Sequence, residues 1–122
     1  YYEIMKKNIL ESHSLYSEKT CNKLLKTIIY RFKSKCKERG HYPLLLVMPQ
    51  LLDLKLKNNK VLDYETFFNE LKKEMDILDL TSIIYKKNFE SLYIEDKYGG
   101  HFSPKGNEVV YKIVLDHLKN RI

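Results

Sequence analysis

The sequence is poor in several residue types. It has no tryptophan, two cysteines, three prolines and four glycines. Only Arg31, Arg39 and Arg121 are arginines among its 22 basic residues. Each shortage excludes something. Base-edge readers of nucleic acid lean on arginine for bidentate contacts, and here the lysines spread along the chain without forming a stripe. A specific nucleic-acid site is therefore not expected, and the net charge of +6 reads as a solvated lysine-rich surface. Leu44–Met48 is the longest wholly apolar run. A membrane-spanning helix needs ~20 such residues, so no transmembrane segment is expected, and no stretch reads as a secretory signal. Cys21 and Cys36 on one helix would stand ~22 Å apart, whereas a disulfide needs Cα atoms within ~7 Å. Two free thiols are expected. Such thiols suit a reducing compartment but also survive outside cells when buried, so no localisation follows. No histidine stands at ligand spacing from them, so no metal is expected.

Few glycines and prolines mean few breaks and long elements. Tyr2–Leu10 carries a weak helical signal. Cys21, Leu24, Leu25, Ile28, Ile29, Phe32 and Cys36 follow a helical spacing over four turns. Ser17 is the expected N-cap and Gly40 the stop, predicting a helix over 17–39. Pro43–Met48 is apolar without alternation, the pattern of a parallel strand covered on both faces. Tyr64, Phe67, Phe68, Leu71 and Met75 mark a second helix, and Ile77–Leu80 a second strand. Strand, crossover helix and strand make a βαβ unit. Ser103 caps a closing helix that Pro104 begins, with Val109, Val110, Ile113, Val114, Leu118 and Ile122 as its apolar stripe. The fold class is α/β with a parallel sheet. Two strands are too few for an independent sheet, and Leu92–Ile94 offers a short third. The first residue is Tyr1. Either a further strand hides in the first or third quarter, or the missing partners lie on sequence outside these 122 residues.

Open α/β sheets form their sites beyond the carboxyl ends of the strands. That directs attention to Pro49–Asp53, Thr81–Ser82 and the loop before the last helix; Gln50–Leu62 leaves a strand end where it can shape a pocket, though Leu51, Leu52, Leu54 and Leu56 read more readily as core. This loop holds Glu95, Asp96, Gly99, Gly100 and His101. A carboxylate near one imidazole nitrogen sets the tautomer and supports the imidazolium, leaving the other nitrogen to take a proton from a nucleophile. The glycine pair is expected to turn the chain sharply and leave space beside the imidazole. Gly106, one turn into the helix, is expected to let a neighbouring element approach closely. His13, His41 and His117 read as surface or rim histidines.

The run Gly99-Gly100-His101-Phe102-Ser103-Pro104-Lys105-Gly106-Asn107-Glu108 resembles the last conserved block of the SGNH hydrolases, the GDSL-type esterases and lipases. In that family an Asp and a His shortly before the C-terminal helix complete a Ser-His-Asp triad. The order of upstream elements is similar to the family's C-terminal half, so the resemblance implies that 1–122 is a single domain forming the C-terminal portion of an SGNH-type hydrolase domain, with a missing N-terminal half or another chain completing the sheet. The resemblance implies a three-layer α/β/α flavodoxin-like fold and a serine-type ester hydrolase. It makes His101 the general base and Asp96 the residue that orients it. Two departures stand out. The family's Asp commonly precedes the His by three residues, a position that here is Tyr98, so Asp96 is two residues further away and Glu95 is a fallback. The family's Gly-Asp-Ser nucleophile block and its oxyanion-hole blocks are absent, so this chain alone is expected to be inactive. The resemblance implies no metal or organic cofactor, and a small-molecule, carbohydrate or lipid ester as substrate. Acyl transfer on the same fold and a non-catalytic α/β interaction domain are the alternatives.

Overall fold

A computed structural model describes residues 1–96 and 99–121; for Glu95 and Asp96 it describes the backbone only. Among the described residues there are six α-helices, four short strands and one 3-10 turn. The chain is mixed α/β, with a small parallel sheet of two strands. Two compact units divide it, one formed by 1–45 and 59–77, the other by 46–58 and 78–122.

The first unit is helical. Helix α1 spans Tyr2–Leu15 and α2 spans Lys19–Glu38. The cap of α2 is Glu18, not Ser17. Its carboxylate accepts from the backbone N–H of Thr20 at 3.1 Å and Cys21 at 2.7 Å. A carboxylate satisfies two orphan amides and meets the positive end of the helix dipole, which a serine hydroxyl cannot match. The helix ends as expected at Gly40, whose φ of +69° is costly for any residue with a Cβ. Cys21 and Cys36 are free thiols.

Helix α4, Asp63–Leu71, supplies the core of this unit. Its start is fixed by Glu65, whose carboxylate accepts from the backbone N–H of Leu62 at 2.7 Å. Tyr64, Phe67, Phe68 and Leu71 are buried. Tyr16 meets the rings of Tyr64, Phe67 and Phe68 at 5.5–6.0 Å. Lys26 of α2 lies over the Phe67 ring at 5.8 Å. His13, expected at the rim, is buried, and its ring stands edge-on to Tyr64 at 5.4 Å. The aromatic cluster around α4 draws it in, a contact that the spacing around His13 gives no hint of.

Strands β1, Leu44–Val47, and β2, Asp76–Asp79, form the parallel pair. Leu80 N–H continues the ladder by donating to Val47 C=O at 3.0 Å. Both strands are edges, so β1 is half-buried along its whole length and not covered on both faces.

The second unit begins at Leu46, within β1. Helix α3, Leu51–Lys57, follows at once, in a segment whose leucines are expected as core but whose helix is not expected. Asp53 accepts from Gln50 N–H at 2.7 Å, half of a capping box, and Asn58 ends the helix in the left-handed region. Leu51, Leu52 and Leu54 are core. Helix α5, Thr81–Tyr85, follows β2, with Thr81 N–H donating to Asp79 at 2.9 Å. After the 3-10 turn Phe89–Leu92, strands β3, Tyr93–Asp96, and β4, Gly99–Phe102, form an antiparallel pair. The expected third strand is thus present but belongs to a separate two-stranded sheet. Helix α6, Pro104–Lys119, closes the chain.

Candidate active site

The residues singled out for chemistry gather in the second unit. His101 lies in β4, directly opposite Ile94 of β3, and is exposed. Asp96 pairs with Gly99, and Glu95 with Gly100. The side chains of Asp96 and Glu95 lie outside the described residues, so the expected carboxylate–imidazole contact does too.

Strand alternation explains the exposure of His101. Tyr93 and Phe102 form one opposed pair, with rings stacked 4.7 Å apart, and Tyr93 is buried. The next pair, Ile94 and His101, therefore faces the other way, and both residues are exposed. Gly100 returns to the inner face. A Cβ there would lie 2.9 Å from Leu51 Cβ. The glycine thus serves strand-on-helix packing against α3, not a sharp turn beside the imidazole.

The backbone after His101 is held tightly. Ser103 N–H donates to Leu92 C=O at 2.9 Å. Ser103 Oγ accepts from Gly106 N–H at 3.0 Å and donates to Ser91 C=O at 3.3 Å. Pro104 occupies the first turn of α6, where its missing N–H costs nothing. Gly106 fulfils its expectation of a close approach: a Cβ there would sit 2.0 Å from Leu92 O. His101 therefore stands two residues from a helix start fixed by a cap and by a backbone contact.

One residue escaped the sequence reading. Tyr93 Oη donates to Pro49 C=O at 2.8 Å, tying the hairpin to the carboxyl end of β1. Burial chiefly, and the charge of Asp53 secondarily, pushes its phenol above the ordinary range. A tyrosine at the start of a short apolar run is the one signal for such a tether, and it does not name the partner.

Of the strand-end segments, Leu54, Lys55, Leu56 and Asn58 line an open groove of about 700 Å³ with Tyr85, Phe89 and Glu90. Lys57 lies over the Tyr85 ring at 5.6 Å. His101 is not among the lining residues. The serine hydroxyls near the hairpin are engaged: Ser103 as the cap, and Ser91 as donor to Asn88 C=O at 2.7 Å. Among the described residues no three His, Cys, Asp or Glu side chains cluster to hold a metal ion. Comparison with family models, with curated proteins and with solved structures gave no match.

Proposed function

We propose that this chain is the C-terminal part of an SGNH-type serine ester hydrolase with a three-layer flavodoxin-like fold. His101 is its general base and then its general acid, and Asp96 orients the imidazole. The nucleophilic serine and the oxyanion donors come from sequence outside these residues. The observation that carries the reading is the mounting of His101. It sits on a solvent-facing strand position, two residues before a helix start locked by Ser103 and Gly106. A proton-transferring side chain needs a fixed backbone and an open face.

The reaction is acyl transfer. The serine oxygen attacks the ester carbonyl while His101 takes its proton. The alcohol leaves with that proton, and water, or an acceptor hydroxyl in an acyltransferase, repeats the step on the acyl-enzyme. Asp96 stabilises the imidazolium that forms twice. No cofactor enters these steps. The substrate is a small-molecule, carbohydrate or lipid ester.

The test uses the protein that carries this chain together with its serine. His101→Ala should lower kcat on a short acyl ester by roughly three orders of magnitude or more. Asp96→Asn should lower it strongly, and Glu95→Gln little. Unchanged turnover in His101→Ala refutes the assignment. The 122-residue chain alone should not turn over ester. A non-catalytic interaction domain is the second reading, favoured by the engagement of Ser91 and Ser103 in backbone caps. Labelling of the full protein by a serine-reactive fluorophosphonate excludes it, and absence of labelling supports it.

A further inference from the structure

Helix α2 buries only half of the stripe that its sequence advertises. Ile29 is in the core of its unit, but Leu24, Ile28 and Phe32 are 60%, 55% and 42% exposed. They recur every fourth residue and so form one row along the helix, about 12 Å long. A groove of about 280 Å³, lined by Ser12, Leu15, Tyr16, Cys21 and Leu25, runs beside the start of α2. On α1, Ile4, Leu10 and Leu15 are also at least half exposed.

Charge on α2 is nearly all of one sign, with Lys35 paired to Glu38 at 2.6 Å, whereas α1 carries both signs. Helix α2 carries seven basic residues and one acidic residue. Arg31 and Lys35 continue the side of the helix that Leu24 and Ile28 occupy, and Lys23 borders it. The cations are mostly lysines, which attract as point charges and let their stems lie along apolar surface with the head in the polar layer. A second copy of this chain is a poor occupant, because each copy brings a net charge of +6. A soluble acidic polymer would meet the lysines and leave Leu24, Ile28 and Phe32 in water.

We infer that the exposed face of α1 and α2 docks on an anionic lipid surface. Phe32, Ile28 and Leu24 enter the boundary between headgroups and acyl chains, while Lys23, Arg31 and Lys35 meet the headgroup charges. No described helix is long and apolar enough to cross a membrane, so the contact lies in the plane of the interface.

The test is co-sedimentation of the full protein that carries this chain with two kinds of vesicle, phosphatidylcholine alone and phosphatidylcholine with phosphatidylserine at three to one. Binding is expected to the mixed vesicles and not to the neutral ones. The double variant Ile28→Ser/Phe32→Ser should bind at least about tenfold more weakly. Lys23→Glu/Arg31→Glu should lose a similar factor, and only where phosphatidylserine is present. Circular dichroism checks that each variant keeps its helices, and the residues are exposed enough that both should. Equal binding of the wild type and the serine variant overturns the proposal, because charge alone then explains the attraction. No sedimentation with either vesicle also overturns it and leaves the face to a protein partner. The inference is independent of the ester-hydrolase reading: His101→Ala should sediment like the wild type.

Discussion

Replacing Gly106 by alanine tests the contact that fixes the start of α6. In an ordinary helix interior this change stabilises by about 1 kcal/mol, because alanine loses less backbone freedom. Here the new methyl would fall 2.0 Å from Leu92 O and 3.0 Å from Phe102 Cδ1. The first of these is backbone, so no rotamer change relieves it. The helix and the 3-10 turn must separate. Overpacking of this kind costs about 1–3 kcal/mol. The same carbonyl accepts from Ser103 N–H at 2.9 Å, and losing that bond costs about another 1 kcal/mol. Set against the propensity gain, the expected outcome is a net loss of about 2 kcal/mol. Urea unfolding followed by circular dichroism measures it, as a lower midpoint with an unchanged slope. Gly40→Ala is the control: nothing lies within 4 Å of the added carbon, and only the positive φ of 69° is opposed. That should cost about 1 kcal/mol. A Gly106→Ala protein as stable as the wild type, or more stable, would refute the packing argument and with it the rigid mounting of His101.

Tyr93→Phe removes the donor to Pro49 C=O and should destabilise by about 1–2 kcal/mol in urea unfolding. Since burial raises the Tyr93 phenol above its ordinary value, folding favours the neutral ring. Its contribution is present below the ordinary tyrosine value of 10.0 and is lost as the pH rises through the raised one, so ultraviolet difference titration of the wild type against Tyr93→Phe should place the Tyr93 transition above 10.0. Glu18 behaves in the opposite sense. The N–H groups of Cys21 and Thr20 hold its carboxyl below the ordinary 4.5, so the cap contributes above that value and is lost as the pH falls through the lowered one. Glu18→Gln should therefore be less stable than the wild type at neutral pH and indistinguishable from it in strong acid, as read by thermal unfolding across a pH series.

The elements that could be read from the sequence are those whose causes are local. The period of α2, the Ser103–Pro104 start of α6, the left-handed Gly40 and the apolar runs of β1 and β2 all lie within a few residues of what determines them. Gly106 was readable because a glycine in a helix's first turn asks for a close neighbour. What escaped depends on distant partners. Leu51, Leu52 and Leu54 read as core, but the helix that carries them was not legible, because the surface that buries Leu51 includes Gly100, far along the chain. Tyr93 and its acceptor Pro49 are 44 positions apart. His13 is buried where its ring meets Tyr64, 51 positions along the chain. The glycine pair was assigned to a turn because a turn is the common reason for such a pair, whereas Gly100 answers to Leu51. At the site, the histidine and its mounting were legible from ten consecutive residues, and the tether that ties the hairpin to β1 was not.

The interleaving of the two units also bears on how the chain is made. Residues 46–58 belong to the second unit, yet 59–77 return to the first. During synthesis α3 leaves the ribosome well before Tyr93 and Gly100, against which its leader Pro49 and its Leu51 settle. At roughly 5–20 residues per second, the wait from residue 58 to residue 100 is about 2–8 s. For that interval the leucines of α3 are without their destination, while the helices on either side can already find each other. The nascent chain is thus most adhesive at a segment that, once the last third has emerged, lies among the best-buried parts of the protein.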